Sequence, residues 1–351
     1  MKKKKFKRIL LIFCFIVVIF LNINAGSYLS YLFMFDRADE IDYEITPGFI
    51  NYEEHQDQLI KRYKVGFTSI KSNSAYSTVY GYLYFVDEYS PTIVISGGYN
   101  DVADSLLSYH KHFISLGYNV FAYDYTGTGN SSSIQNGFIQ PLIDLRYALY
   151  YLDGNTRIKN KNVALFGYSA GAFASSAVLN FNNVKVNIRA VVAINGYDDA
   201  YNLFVNKGKS KVGYLAYLGS PSIYIHQKKI FKDYCQYTAV SGINKSKDTP
   251  VLIIQSKDDK TIAYDNLSIY SKQNKITNKN VNYELFEGCD HTSILYDKEA
   301  LSYQKEVNQI LKKKKSRTSK IEYVSTIDDE KYSKINMDLI NKVMAFYVKY
   351  I

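Results

Sequence analysis

NVALFGYSAGAFASSAVLN, residues 162–180, joins a short apolar run, a Gly-Tyr-Ser-Ala-Gly pentapeptide and a segment rich in small residues. The first part, Asn162 to Phe166, reads as a strand buried on both faces. The pentapeptide Gly167–Gly171 fits G-x-S-x-G, and the small residues after it suit a helix packed tightly on a sheet. Strand, sharp turn and helix together would lift Ser169 beyond the strand end. Glycines on either side allow strand and helix to approach closely. The helix N-terminus behind the serine favours developing negative charge. Ser169 is therefore the candidate nucleophile.

Outward from this stretch the same rhythm repeats. Strands are expected at Tyr80 to Val86, Thr92 to Ser96, Asn119 to Tyr123, Arg189 to Ile194, Val251 to Gln255 and Val281 to Phe286. Several are unbroken apolar runs, as parallel strands between two helical layers require. Amphipathic stretches such as Ala103 to Leu116 and Pro141 to Leu152 lie between them. The alternation predicts an α/β fold with a mostly parallel, doubly wound sheet. Two segments break it. Gly196 to Asp248 is too long for a crossover and holds seven Tyr, so it reads as an inserted lid. Lys312 to Glu330 is polar and without clear periodicity, and its basic cluster Lys312 to Lys320 (KKKKSRTSK) reads as a solvated loop. It precedes a helix with Ile335, Leu339, Val343 and Phe346 on one apolar face.

A serine hydroxyl needs a base, and the base needs an acid to orient it. VLIIQSKDD, residues 251–259, is a buried run ending in two carboxylates. Asp259 is preferred to Asp258 because apolar Ile262 stands three positions later, where an anchor for the loop is wanted. The other carboxylate then has only a capping or solvated role. Of the five histidines only His226 and His291 follow Ser169, and His226 falls inside the lid. His291, in the GCDHTS loop after the last strand, is the candidate base; its bland alternative is an exposed loop histidine. The backbone N–H groups of Gly98 and Ala170 are the candidate oxyanion donors, Gly98 standing in the ISGGY loop after a buried strand. The GTGNS run, residues 127–131, lacks the G-K-[ST] ending of a phosphate loop.

The chain has 351 residues and a net charge of +10, but Lys2, Lys3, Lys4, Lys5, Lys7 and Arg8 precede the first apolar run. That placement removes the argument for nucleic acid. No charge then appears from Ile9 to Phe35, and Asp36, Asp39, Glu40, Asp42 and Glu44 follow. The run is long enough to cross a bilayer. The charge asymmetry puts the remainder outside the cytoplasm. An uncleaved signal anchor is preferred to a cleaved signal peptide, so the expected location is the cell membrane, with secretion as the alternative. The expected division is residues 1–36 as basic stub and anchor, and 37–351 as catalytic domain with the lid at about 196–248. Cys14, Cys235 and Cys289 show no metal-ligand spacing, and His110 and His112 point apart on a helix. No cofactor and no metal is expected.

ISGG (95–98), FAYDYTGTGNS (121–131), GYSAG (167–171), SKDDKTI (256–262) and GCDHTS (288–293) resemble, in this order, the α/β-hydrolase superfamily. The branch they resemble is that of monoacylglycerol lipases and serine aminopeptidases. Ser96 stands where that branch usually has His. The resemblance implies an α/β-hydrolase fold and a serine hydrolase acting through Ser169, His291 and Asp259. The expected activity is hydrolysis of a small or amphipathic acyl ester through an acyl-enzyme. A peptidase of the same fold, or a non-catalytic surface binding protein, are the alternatives.

Overall fold

A computed structural model describes residues 2–35, 41–48, 61–70 and 75–351. The expected domain boundary at 36–37 lies outside the described residues. The chain opens with helix α1 (Lys2–Phe35), then strands β1 (Lys61–Ile70), β2 (Tyr76–Phe85) and β3 (Thr92–Ser96). Helix α2 (Leu107–Ser115), β4 (Asn119–Tyr123), α3 (Gln140–Gly154), β5 (Asn162–Tyr168) and α4 (Ala170–Ala177) follow. Strand β6 (Asn187–Ile194) leads into α5 (Ala200–Val212), α6 (Leu215–Phe231) and α7 (Ala239–Lys245), and then come β7 (Val251–Ser256) and β8 (Val281–Phe286).

The sheet order is β1-β2-β4-β3-β5-β6-β7-β8. The first two pairings, β1 with β2 and β2 with β4, are antiparallel, and β4 through β8 are parallel. This is the expected doubly wound α/β sheet with an antiparallel edge. Strands β3, β4 and β7 are buried along their whole length, which is why they read as unbroken apolar runs. Leu142, Leu149, Phe173 and Ile243 fill one face of the sheet. Leu107, Phe113, Leu339, Val343 and Phe346 fill the other, the last three from the helix Met337–Tyr347.

Two expectations change. The basic segment is a loop only at its centre: Lys312 and Lys313 end a helix from Lys298, Lys314 to Ser316 form the connection, and Arg317 opens another helix, Arg317–Val324. The lysines keep their charges in water on exposed helical faces, and Arg317 pairs with Asp42 at 3.0 Å. Strand β1 was not anticipated. Its pattern, KRYKVGFTSI, interleaves charges with half-buried residues because only one side of this edge strand packs.

Helix α1 does more than precede the fold. Its first two-thirds expose Ile9 to Leu21 along their length, but Tyr31 and Phe35 are each only 1% exposed. The Tyr31 hydroxyl donates to the Asn136 carbonyl at 2.7 Å, and Phe35 stacks edge-on against Phe138. Along α6, Asn24 donates to the Leu218 carbonyl at 3.0 Å and Ser222 Oγ donates to the Asn24 carbonyl at 3.0 Å. Asn24, a polar residue in this apolar helix, is therefore part of a helix–helix contact.

Candidate active site

Ser169 sits between β5 and α4 with φ 54° and ψ −111°. A non-glycine residue at positive φ is strained, and the surroundings must hold it there. They do so by close approach: a Cβ on Gly167 would lie 2.3 Å from the Gly171 carbonyl oxygen, and one on Gly171 would lie 1.9 Å from that of Ser96. The Ser169 N–H donates to the Ile194 carbonyl at 2.8 Å, tying the turn to β6.

The structure brings three of the expected side chains into one chain of hydrogen bonds. His291 Nε2 lies 2.9 Å from Ser169 Oγ, and His291 Nδ1 lies 2.7 Å from Asp259 Oδ2. The other oxygen of Asp259 accepts the N–H groups of Thr261 and Ile262, each at 2.8 Å. As a carboxylate Asp259 only accepts, so the imidazole places its proton on Nδ1 and leaves Nε2 to accept from the serine. Asp259 is 4% exposed and Ile262 beneath it 1%. Asp258 points elsewhere, accepting the Gly288 N–H at 3.0 Å on the exposed side. Nearby, burial pushes the Cys289 thiol up, and its Sγ faces Ser256.

Two residues beside this chain of hydrogen bonds carried no motif. Asn195, at φ 50° just after β6, donates to the His291 carbonyl at 2.8 Å and to Ser256 Oγ at 2.9 Å. It thereby fixes the loop that carries the histidine. The sequence signal available was Asn-Gly at a strand end, a pair suited to positive φ. Asp101 is the second. Its Oδ2 accepts the Gly98 N–H at 2.5 Å, so one expected oxyanion donor is engaged, whereas the Ala170 N–H donates to no group among the described residues. Burial pushes the Asp101 carboxyl up to about 6, against the opposing pull of the Gly98 N–H and of His291. The FAYDYTGTGNS block (121–131) supports this loop from behind: Asp124 accepts the N–H groups of Ala103 and Asn130, and the Tyr125 hydroxyl donates to the Gly97 carbonyl at 2.8 Å.

Ser169 and His291 open into a cavity of about 350 Å³ also lined by Met34, Asp101, Leu203 and Lys207. That is within the range of small-molecule sites, roughly 300–1,000 Å³. Among the described residues no cluster of His, Cys, Asp and Glu is arranged to hold a metal. Fold and site together define an α/β hydrolase. Among solved structures, the esterase Pf2001 of Pyrococcus furiosus superposes with a TM-score of 0.52 at 17% identity, over 79% of this chain and 97% of the esterase. The α/β hydrolase GrgF from Penicillium sp. does so with a TM-score of 0.49 at 16% identity, over 76% and 98%. The acylaminoacyl peptidase of Pyrococcus horikoshii covers 67% of this chain and 38% of its own at a TM-score of 0.47 and 15% identity. Likeness at such identities concerns the fold alone. No curated protein matches the sequence. The sequence model of the prolyl oligopeptidase family matches residues 106–315, more than half of the chain, and the chain belongs to that family.

Proposed function

We propose that the protein is a membrane-anchored serine hydrolase that cleaves carboxylic esters through an acyl-enzyme on Ser169. The observation that carries this reading is the continuous Ser169–His291–Asp259 hydrogen-bond chain at the mouth of a cavity. In the first step Ser169 Oγ attacks the acyl carbon while its proton passes to His291 Nε2. Asp259 stabilises the imidazolium that results. Collapse of the tetrahedral adduct expels the alcohol, which takes the proton from Nε2, and water repeats the sequence to release the acid. The oxyanion is met by the Ala170 N–H at the start of α4, and by Gly98 once Asp101 withdraws. Residues 1–36 would serve as basic stub and anchor, 37–351 as the external catalytic domain, and 196–248 as the lid.

A peptidase reading is the second one. It is favoured by the family match and by Asp101, a carboxylate in the cavity suited to pairing with a free amino terminus. Purified full-length protein assayed on a panel of p-nitrophenyl esters and aminoacyl p-nitroanilides tests the choice. We expect turnover of esters, and cleavage of the anilides alone would move the assignment to peptidase.

Asp101 gives a pH-dependent expectation. The groups facing its carboxyl are the Gly98 N–H, His291, and the Tyr125, Tyr168 and Tyr296 phenols. Below about pH 6 the carboxyl is neutral, and above it an anion stands where negative charge must develop. Asp101→Asn removes that anion. The ratio of variant to wild-type kcat/KM should be near 1 at pH 5 and rise to about tenfold at pH 8, roughly 1.4 kcal/mol of barrier. A variant slower at every pH would instead make Asp101 a support for the Gly97–Gly98 loop.

A further inference from the structure

We infer that the α5–α6 hairpin is a second membrane-contacting element, whose tip enters the outer leaflet beside α1 and draws acyl substrate from the lipids there. The inference rests on the anchored-hydrolase reading above and names its substrate source.

The first observation is what the hairpin exposes. Val212, Tyr214, Leu215, Leu218, Tyr224 and Ile225 stand in the open with exposures from 48% to 78%. A hairpin bathed in water would place polar residues at most of these positions, and contiguous exposed apolar residues mark an interaction surface. Lysines accompany them: Lys207, Lys209, Lys211, Lys228 and Lys229 lie on the two helices, and Ala200 to Phe231 contains no Asp or Glu. Lys209 Nζ sits over the Tyr214 and Tyr217 rings at 5.2 and 5.7 Å. Apolar side chains with tyrosines and lysines are the composition of an interfacial segment whose apolar tip dips into the acyl chains, the long lysine stems extending their ammonium groups toward lipid phosphates.

The second observation is register. Asn24 meets Leu218 and Ser222, and Tyr28 and Tyr31 pack their rings on His226 with centroids 4.9 and 5.0 Å apart. The two helices therefore run parallel. Counting back one turn from Leu218, Leu215 stands level with about residue 20 or 21 of α1, at the end of the apolar run ILLIFCFIVVIFL. About 20 helical residues cross the hydrocarbon. Counted from Ile9, that span ends near Tyr28, so the hairpin tip lies at the depth of the outer half. The apolar patch continues the exposed surface of α1, and this continuity selects lipid over a protein partner as its occupant.

The third observation ties depth to chemistry. Met34 from α1 and Leu203 and Lys207 from α5 line the same cavity as Ser169 and His291. The elements that enter the leaflet thus also wall the site, which gives an acyl chain a route from bilayer to serine without crossing water.

The chain has no Trp, so one introduced indole reports alone. Full-length Leu215→Trp, reconstituted into vesicles of phosphatidylcholine and phosphatidylglycerol carrying brominated acyl chains, should be quenched at least twofold more than Leu116→Trp, on the far exposed end of α2. Equal quenching overturns the inference, whether water or a second copy of the chain covers Leu215. Activity supplies a second arm. Leu215→Glu with Leu218→Glu should lower hydrolysis of a long-chain 4-methylumbelliferyl ester dissolved in the vesicles at least tenfold. Hydrolysis of the soluble butyrate ester should stay within twofold. Equal changes on both esters overturn the route from the leaflet. A wild type inactive on both esters would sink the hydrolase reading instead, while the quenching result would still decide insertion.

Discussion

Ser169→Ala is expected to lower ester turnover by about 10⁴-fold or more with the fold intact. The side chain is 8% exposed and ends at the imidazole, so removing its oxygen opens no cavity of consequence. The strained backbone is held by the tight Gly167–Gly171 contact and by the Ser169 N–H bond to β6, which alanine keeps. Without Oγ no acyl-enzyme forms, and only general binding and the oxyanion donors remain to accelerate attack by water. In serine proteases loss of the nucleophile costs about 10⁶-fold in kcat. Steady-state kinetics on one soluble ester, with thermal unfolding as the folding control, measures the effect. A loss under tenfold would remove Ser169 from the chemistry.

Asp259→Asn is expected to lower turnover by at least about 10²-fold, and Asp258→Asn by less than tenfold. The asymmetry follows from which bonds each residue makes. In the first variant the amide oxygen can keep accepting from Thr261 and Ile262, so the loop survives. The amide nitrogen then faces His291 Nδ1 and donates to it, which drives the imidazole proton to Nε2. Nε2 can no longer accept from Ser169. In serine proteases the equivalent change costs about 10⁴-fold through the wrong tautomer. Asp258 gives up only one exposed bond from the Gly288 N–H, which an amide oxygen can still accept. Measuring both variants at one pH decides between them, and the reverse order of losses would reassign the acid.

Most of the sheet was legible because buried parallel strands must be apolar on both faces, and TIVIS, VLIIQ and RAVVAI satisfy that without ambiguity. The elbow was legible for a different reason: its glycines answer to steric contacts that no other residue can meet. Strand β1 escaped because an edge strand with one wet side mixes Lys61, Arg62 and Lys64 among its packing residues. Asn22, Asn24 and Gly26 weaken the second half of α1 as a membrane span, and the fold accounts for one of them: Asn24 is bonded to α6, whereas Asn22 is exposed and bonds back to the Val18 carbonyl of its own helix. Asn195 and Asp101 were invisible for want of any spacing rule. The role of Asn195 comes from long-range closure, reaching a carbonyl 96 residues on, and that of Asp101 from a tight local turn back on Gly98. Sequence periodicity records which face of an element is buried, not which loop ends meet.

An activated Ser169 should be trapped covalently by an electrophile that mimics the acyl substrate. The full-length protein is treated with a fluorophosphonate, digested, and the modified peptide sequenced by mass spectrometry. One stoichiometric adduct is expected on Ser169, lost in Ser169→Ala and strongly slowed in Asp259→Asn. An adduct on another residue, or none from protein that still hydrolyses esters, would contradict it.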